Sequence, residues 1–455
     1  MILEQHVAMR EWTRKVRSGR MTRRGFLERT IALGIGSSAA IALLDACSSG
    51  GLTGSGPTIA YWNLFGGGDG VRMVQMQNDF VKANPAINLE AVTLTWGEPY
   101  YTKLAMAAAG GRPPDVAISH MTRVPIYASS DLLEPFDLEE LAKVGITQDT
   151  FLPAIWERAQ YNGKLYTVPL DTHPFVMYYN VDVCKKAGLL DDAGNLLPIE
   201  GPQALLDALK KAQQVTGAFG LALDTQGVTS WRLFYTLYSQ LGGKVLSPDG
   251  KELVLDDGKA AQVLSFMQDL TQTSKVASPV TDYAGAVANF GSAKAGFTWN
   301  GEWEVSTFVA IKDFSFNMVP FPKVYGEYHT EADSHAFVLP RQSSVDPERR
   351  AASLTFISYM LKDSYTWAQG GHIPAYLPIA TGEQYKSLKP QSNYASVASS
   401  AVIDPIAWFS GSGSEFETQA SAAFQGVLAG QSTPQQAIKQ FRTAVLKLLS
   451  IPSPL

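Results

Sequence analysis

The chain of 455 residues is 45% hydrophobic and 17% charged, which is typical of a globular protein with a large core rather than of a disordered chain. Its length exceeds what one simple core accommodates, so two lobes are expected. The formal net charge is −5, and residues 47–455 contain 29 Lys and Arg against 38 Asp and Glu. Because phosphate contacts require Lys and Arg, this acidic body argues against nucleic-acid binding.

The chain begins with the pattern of an export signal. The adjacent Arg23 and Arg24 are followed by an apolar stretch over residues 31–44, which ends at Leu-Asp-Ala-Cys, residues 44–47. A basic segment, a short apolar segment and a small residue before the cleavage point predict a secretory signal over residues 1–46. The paired arginines resemble the twin-arginine export motif. The last four residues resemble the bacterial lipoprotein box, which implies that Cys47 is lipidated and anchors the mature protein to a membrane.

This segment has two other interpretations. An uncleaved membrane anchor is disfavoured because the apolar run is shorter than the roughly 20 residues of a spanning helix. Met21 is an alternative start, since the export motif would then stand at the beginning. The Gly/Ser-rich residues 47–56 predict a flexible tether. Cys184 has no partner for an intramolecular disulfide and is interpreted as a small buried hydrophobe rather than a nucleophile.

The next elements alternate between strands and helices. Residues 58–62, 87–92 and 115–119 are rich in β-prone residues and predict strands. Residues 71–83 and 100–109 show helical spacing, and Asn-Pro at 84–85 and Gly-Gly at 110–111 end these helices. This β-α-β-α-β order predicts an α/β lobe with a largely parallel sheet.

The same kind of alternation continues to the C-terminus. Strands are predicted over residues 165–168, 175–179, 296–299 and 336–339, and helices over residues 202–215, 259–274, 349–360 and 435–449. There is no fixed-period repeat. The expected class is therefore α/β with a second lobe built like the first.

Five short motifs occur in order along the chain. They are Tyr-Trp-Asn with a glycine turn at 61–63, F-x-x-x-N-P-x-I at 80–87, G-x-x-P-D-V at 111–116, the segment 163–169 followed by Tyr-Tyr-Asn at 178–180, and residues 295–303 ending in Asn-Gly-Glu-Trp. Together they resemble the extracellular solute-binding proteins of sugar-type ABC importers, the group that includes maltose-binding protein.

The resemblance implies a two-lobe periplasmic-binding-protein-like fold of type II, in which each lobe is a mostly parallel sheet flanked by helices. The lobes would comprise residues 57–171 plus about 331–375, and residues 172–330 plus about 376–455, joined by hinge strands. They would close on a sugar ligand and dock on the membrane permease of an ABC importer. The expected location is the outer face of a bacterial cell membrane, with lipid on Cys47 as the anchor.

A sugar site needs aromatic faces for stacking and polar groups for hydroxyls, and in α/β sheets these lie after strand ends. The candidate set combines strand-end residues with matches to the family's motifs, among which Trp303 is the expected stacking aromatic. The predicted ligand-binding residues are Trp62, Asn63, Asp69, His120, Asp171, His173, Tyr178, Trp231, Trp299, Asn300, Glu302, Trp303, His335 and His372.

Several of these residues have a competing interpretation. Asp171 and His173 would equally serve in hinge hydrogen bonds, and His120 would serve as a surface loop residue. Tyr178 and Trp231 would equally be core residues. Residues 66–70 form a glycine turn that would cradle phosphate, but the Lys and Ser/Thr of a P-loop are missing.

Other functions remain as alternatives. A glycoside-acting enzyme would need two facing carboxylates, for which Asp171 and Glu302 are the candidates. Asp333, Ser334 and His335 are adjacent in a strand and therefore cannot form a catalytic relay. The same fold would also serve for an amino sugar or a glycerophosphodiester. The acidic candidates favour a neutral or amino sugar, while the neighbouring Arg72, Arg123 and Arg232 leave a phosphate ligand open. No cofactor is implied, and because the histidines show no i,i+4 pair, no metal site is predicted.

Overall fold

In the computed structural model, residues 56–452 are described, and they form two lobes that are each built on a β-sheet flanked by helices. The predicted export motif at Arg23 and Arg24, the predicted lipidation site at Cys47 and nearly all of the tether lie outside the described residues. No helix between residues 56 and 452 combines the length and the apolar character needed to span a bilayer.

The strands are β1 (Thr58–Asn63), β2 (Asn88–Thr93), β3 (Val116–His120), β4 (Leu133–Glu134), β5 (Gln160–Tyr161), β6 (Lys164–Leu165), β7 (Val168–Pro169), β8 (Asp171–Asn180), β9 (Phe219–Ala222), β10 (Ala295–Gly301), β11 (Phe316–Pro320), β12 (Thr330–Asp333), β13 (His335–Pro340), β14 (Ile373–Pro374) and β15 (Ala401–Val402).

The α-helices are α1 (Gly70–Ala83), α2 (Glu98–Ala109), α3 (Val124–Ser129), α4 (Leu138–Lys143), α5 (Pro153–Arg158), α6 (Val181–Lys186), α7 (Pro202–Thr216), α8 (Thr229–Gln240), α9 (Asp257–Gln268), α10 (Tyr283–Gly291), α11 (Val305–Val309), α12 (Pro347–Lys362), α13 (Ser364–Ala368), α14 (Leu377–Ala380), α15 (Glu383–Lys386), α16 (Glu415–Leu428) and α17 (Pro434–Ser450). Short 3-10 segments cover Met121–Arg123, Gln148–Thr150, Glu302–Glu304 and Gln391–Ser399, and a π-helical turn covers Asp269–Thr273.

The sheet of the first lobe has the order β2-β1-β3-β13-β4. Strand β1 runs parallel to both β2 and β3, whereas β13 returns from the distant end of the chain and pairs antiparallel with β3. The apolar core of this lobe draws on residues 59–170 and 336–376. The return of β13 therefore completes a sheet that the N-terminal segment begins.

The sheet of the second lobe has the order β15-β12-β8-β10-β9, with β11 and β14 also paired to β8. Strand β8 is buried along all ten residues. Its start pairs with β14 at Asp171 and Thr172, its middle pairs with β12 at His173, and its end pairs with β10 and β11. The main apolar core of this lobe draws on residues 175–324 and 409–448.

Three chain segments pass between the lobes and lie side by side. They are the start of β8, the junction of β12 and β13 at Ser334, and β14. Asp333 pairs with His173 in the second sheet, while His335, two residues later, pairs with His120 in the first. The side chains of these segments are thus brought to the boundary between the two lobes.

The predicted α/β class with two lobes is confirmed, but both sheets are mixed rather than mostly parallel. The difference has a topological cause. Strands that cross between lobes run back along their neighbours, so β13 and β8 pair antiparallel with the strands beside them. The predicted strand over residues 165–168 is also divided, between β6 and β7.

Candidate functional site

Asp171, the first residue of the crossing strand β8, is a fully buried carboxylate that several donors surround. The nearest side-chain donors are His335 Nδ1 at 2.8 Å, His173 Nδ1 at 3.1 Å and Trp367 Nε1 at 2.7 Å, and the backbone N–H of His335 also donates to it at 2.8 Å. Burial alone would raise the pKa of Asp171, but the imidazoles of His335 and His372 hold it well below its usual range. Asp171 is therefore ionised.

His372 is fully buried among three carboxylates. Its Nδ1 lies 2.9 Å from Glu302 Oε1 and 3.2 Å from Asp171 Oδ2, and its Nε2 lies 3.3 Å from Asp69 Oδ2. Its ring also stacks on the indole of Trp367 at a centroid distance of 4.0 Å. Burial would lower the pKa of His372, yet Glu302 and Asp171 raise it well above its ordinary value, so the ring is an imidazolium.

The three carboxylates around His372 come from different parts of the fold. Asp69 precedes helix α1 but makes no side-chain capping bond there, so its carboxylate is free to face His372. Glu302 follows strand β10 of the second lobe, and burial raises its pKa to about 7 although His372 opposes this effect. The imidazolium therefore joins the first lobe, the crossing strand and the second lobe.

Three more imidazoles, those of His120, His173 and His335, lie beside His372. The rings of His173 and His335 stack at 4.0 Å, and the ring of His120 lies 4.6 Å from that of His335. Burial and the neighbouring imidazole of His335 lower the pKa of His173 to about 3 and that of His120 well below its ordinary value. These two rings are neutral at physiological pH and offer nitrogen acceptors to hydroxyl groups.

Donor atoms of Asp171, His173, His335 and His372 all lie within 4.8 Å of one another, a spacing that a divalent metal ion would fit. The spacing of histidines along the sequence did not reveal this convergence, because the four residues come from three separate segments. The three Nδ1 atoms, however, already face the carboxylate of Asp171, which also accepts from Trp367. A metal ion would have to displace these contacts.

Trp303 forms the aromatic wall beside the histidines. Its Nε1 donates to Tyr283 Oη at 2.7 Å, and Tyr283 Oη donates in turn to Glu304 Oε1 at 2.7 Å. The guanidinium of Arg232 lies 4.9 Å from the ring of Trp303 and 5.9 Å from that of Trp96. Because Trp96 belongs to the first lobe and Trp303 to the second, Arg232 fills a slot between aromatic faces of opposite lobes.

The structure brings one group of the predicted residues to the boundary between the lobes. These residues are Asp69, His120, Asp171, His173, Glu302, Trp303, His335 and His372. Asn63 and Asn300 are buried nearby, where Asn63 Oδ1 accepts from Phe65 N and Asn300 Oδ1 accepts from Gly301 N.

The other predicted residues lie elsewhere. Trp299 is in the second-lobe core against Phe321, and Tyr178 is in a core cluster with its hydroxyl bonded to Gly301 O. Trp231 stacks on Tyr235 in the second-lobe core and reaches the boundary only through its Nε1, which donates to Asp404. Trp62 faces a groove beside helix α2, where Lys103 covers its ring at 5.1 Å.

The structure also shows boundary residues outside the predicted ligand-binding set. They are Trp96, Thr122, Arg232, Tyr283, Glu331, Asp333, Asp404 and Glu417. Thr122 of the first lobe donates to Asp333, and Thr122 Oγ1 accepts from Ser412 N at 3.1 Å. No local motif marks these residues, because they come from separate helices, strands and loops that only the fold brings together.

Comparison with known proteins gives a consistent result. Residues 67–366 match the sequence profile of the family described as bacterial extracellular solute-binding protein. An arabinooligosaccharide-binding protein of Bacillus subtilis (strain 168) is 27% identical over 234 residues, which cover 50% of this chain and 51% of that protein. The chain thus spans about half the length of this relative.

Two further proteins match more of the chain. A maltooligosaccharide ABC transporter solute-binding lipoprotein of Streptococcus pneumoniae (strain ATCC BAA-255 / R6) is 24% identical over 344 residues, covering 69% of this chain and 75% of the relative. The GacH receptor of Streptomyces glaucescens GLA.O, solved without ligand and with acarbose, superposes with a TM-score of 0.75 at 22% identity, covering 87% of this chain and 98% of that chain. This superposition supports the two-lobe fold.

Proposed function

Because the chain belongs to the bacterial extracellular solute-binding protein family, we propose that it binds a carbohydrate between its lobes and delivers it to the permease of an ABC importer. Two relatives named for oligosaccharide binding support the substrate class. Mono- and oligosaccharides are both within this proposal.

The observation that carries the proposal is the convergence of side chains from both lobes on one aromatic and polar surface. Trp96 and Asp69 come from the first lobe, and Trp303 and Glu302 come from the second. His372 directly precedes the crossing strand β14. Aromatic faces suit the apolar faces of a sugar, and the imidazole and carboxylate groups suit its hydroxyls. Opening about the three crossing segments would admit the ligand, and closure would bury it.

The protein's location and lobe boundaries form part of the same proposal. We propose export by the twin-arginine motif and lipidation of Cys47, which would hold the protein at the outer face of the cell membrane. We further propose lobes of residues 57–171 plus about 331–375 and of residues 172–330 plus about 376–455. Antiparallel pairing of β12 and β14 with β8 supports hinge segments at these boundaries.

Binding without turnover fits the arrangement better than glycoside hydrolysis does. The two candidate catalytic carboxylates, Asp171 and Glu302, both contact the same atom, Nδ1 of His372. They therefore neutralise one imidazolium rather than flank a scissile bond. Release of free sugar from an oligosaccharide at the rate of an enzyme would contradict this view.

A glycerophosphodiester is disfavoured as the ligand. A phosphate would need several Arg or Lys side chains directed at it. The glycine turn at residues 66–70 instead presents Asp69, whose carboxylate faces the imidazolium of His372. The surrounding surface supplies Glu302 and Glu331, and Arg232 pairs with Glu331. A phosphodiester that binds more tightly than every sugar would overturn this assignment.

A thermal-shift screen of the full-length protein tests the proposed function. The panel contains mono-, di- and oligosaccharides together with glycerophosphodiesters. A ligand at a hundredfold excess over its dissociation constant adds about 2.7 kcal/mol to the unfolding free energy and raises the midpoint. The expected result is a clear rise with one sugar class, lost in Trp303→Ala and largely kept in Trp303→Phe.

Tyr359→Ala serves as the control, because its ring packs against Phe80 of helix α1 within the first lobe. It should leave sugar affinity nearly unchanged. A panel in which no sugar shifts the midpoint would contradict the proposed function.

A further inference from the structure

Four carboxylates form a second buried group at the boundary, separate from the one around His372. They are Glu331, Asp333, Asp404 and Glu417, which we call the interlobe carboxylate cluster. Their exposed fractions are 6%, 5%, 4% and 4%. Glu331 and Asp333 lie on the crossing strand β12, Asp404 in the loop after β15, and Glu417 in the first turn of helix α16.

Cations compensate this cluster poorly. Among residues 56–452, the one ion pair within 4.0 Å of any of the four joins Arg232 Nε to Glu331 Oε2, and it is 3.8 Å long. Arg158 reaches only the backbone oxygen of Asp404, at 3.5 Å. The guanidinium of Arg123 lies over the ring of Tyr101 at 4.8 Å. Asp333, Asp404 and Glu417 thus have no cationic partner at contact distance in this part of the chain.

Among residues 56–452, several buried polar atoms at the cluster have no hydrogen-bond partner; besides the donor Arg232 Nε, they include two oxygens. Asp404 Oδ1 accepts from Trp231 Nε1 at 2.9 Å, but Asp404 Oδ2 is buried and unpartnered. Ser412 Oγ, in the adjoining loop, is also buried and unpartnered. Such atoms are costly in a dry interior and commonly mark the place of a missing donor or ligand. The coulombic effect of neighbouring carboxylates adds to that of burial in raising the pKa values of Asp404 and Glu331.

The cluster lies where the lobes touch. Thr122 of the first lobe donates to Asp333, and the loop beside Glu417 packs against Gly97, so that a Cβ on Gly413 would lie 2.8 Å from Gly97 Cα. Separation of the lobes about the crossing segments would break both contacts and uncover Asp333, Asp404 and Glu417. A ligand that enters between the lobes would therefore reach all three.

We propose that the carbohydrate ligand carries a protonated amino group, and that Asp404 and Glu417 receive this group in the interlobe carboxylate cluster. The inference rests on the proposed function and specifies its substrate class as an amino sugar or an aminated oligosaccharide. The ammonium group supplies N–H donors to the unpartnered Asp404 Oδ2, and it supplies positive charge to Asp404 and Glu417, which have no cation at contact distance among residues 56–452. Charge-assisted bonds of this kind are the stronger class of hydrogen bond.

The test uses matched sugar pairs and isothermal titration of the full-length protein at a pH where the amine is protonated. Glucosamine, galactosamine and the β-1,4-linked di- and trisaccharides of glucosamine are each paired with the neutral sugar that has a hydroxyl in place of the amine. The expected result is that at least one aminated sugar binds about tenfold more tightly than its neutral partner. Asp404→Asn should reduce that preference to about twofold or less.

Two more variants keep the test decisive. Glu417→Gln should reduce the preference in the same way, and it carries the test if Asp404→Asn does not fold. Asp363→Asn is the matched control, because Asp363 also has a buried unpartnered oxygen but lies on the first lobe, bonded to Thr366. It should leave the preference unchanged.

The outcomes separate the two levels of the proposal. Neutral sugars that bind as tightly as aminated ones, or more tightly, would overturn the amine inference and leave the proposed function standing. A preference for aminated sugars that survives both cluster variants would overturn the assignment to this cluster. Binding of neither kind of sugar would contradict the proposed function itself.

Discussion

At the scale of single residues, the boundary between the lobes is organised by buried charge. His372 neutralises carboxylates that would otherwise be isolated from water, and each of them comes from a different part of the fold. The resemblance to a known family was sufficient to predict Asp171, His173, Glu302 and His372 as candidates. It did not predict Asp404 or Glu417, which stand in no recognisable motif.

Replacement of His372 tests its role in this network. His372→Asn removes the imidazolium and leaves Asp69, Asp171 and Glu302 in a dry site, so we expect a loss of about 3 kcal/mol or more in unfolding free energy, measured by denaturant titration. His329→Asn is the control, because His329 pairs with Glu327 at 3.1 Å on a more exposed surface. It should cost less than about 1 kcal/mol. Equal effects of the two variants would contradict the charge-neutralising role of His372.

The buried carboxylates also predict how stability depends on pH. Burial raises the pKa values of Asp333 and Glu302 to about 7, above the values near 4 of an unfolded chain. In that interval these two groups hold more protons in the folded protein than in the unfolded one, so the stability they contribute is fully present below about pH 4 and is lost as pH rises to about 7. The raised pKa of His372 acts in the same direction at higher pH.

Thermal unfolding of the unliganded protein between about pH 6.5 and pH 8 measures this dependence, because the lowered pKa values of His120 and His173 produce an opposite trend only below the ordinary histidine pKa of about 6.5. The midpoint should decrease steadily across the range, and Asp333→Asn should reduce the slope. A midpoint that rises with pH would show that these groups do not titrate in this way.

At the scale of elements, sequence patterns predicted the regular parts of the fold well and the crossing parts poorly. Helix α7 begins at Pro202 and buries one apolar face, as its 3.6-residue spacing indicates. The sequence predicts strand β8 only over residues 175–179, whereas the buried strand has ten residues. Its first part contains Pro174 and polar residues, which are not typical of a buried strand. Helix α8 buries all twelve residues, including Arg232 and Gln240. It has no exposed polar face, so a contrast between apolar and polar faces does not predict which of its residues are buried.

Close approach of the crossing segment to the second lobe depends on Gly371. Its φ is +112°, and a Cβ there would lie 2.1 Å from the backbone oxygen of Glu302. We expect Gly371→Ala to cost more than about 2 kcal/mol in unfolding free energy, since it adds a backbone clash to the strain of positive φ. Gly194→Ala, at φ +84° with open space around it, isolates the strain alone and should cost about 1 kcal/mol. Similar losses for both variants would rule out crowding at Glu302.

At the scale of the whole molecule, closure depends on how near the first-lobe turn approaches the second lobe. Gly68 lies so close to helix α11 and the segment before it that a Cβ would be 2.9 Å from Trp303 O and 2.6 Å from Thr307 Oγ1. Gly66, two residues earlier in the same turn, has open space around its Cα. Neither contact is visible in the sequence, where the turn is simply a run of glycines.

This difference predicts opposite behaviour for two neighbouring variants. Gly68→Ala should hold the lobes apart, weaken sugar binding by about tenfold and increase the radius of gyration of the ligand-bound protein in solution scattering. Gly66→Ala should change neither quantity. A Gly68→Ala protein that binds sugar normally would show that the observed contact is not needed for closure.

The position of Arg232 between Trp96 and Trp303 has a spectroscopic consequence. The two indoles belong to opposite lobes, so separation of the lobes removes the guanidinium from at least one of them and admits water to the rings. Indole emission moves to longer wavelength when water surrounds the ring, and both residues would report the same event. The intrinsic fluorescence of the protein should therefore follow opening and closing in real time without any attached dye.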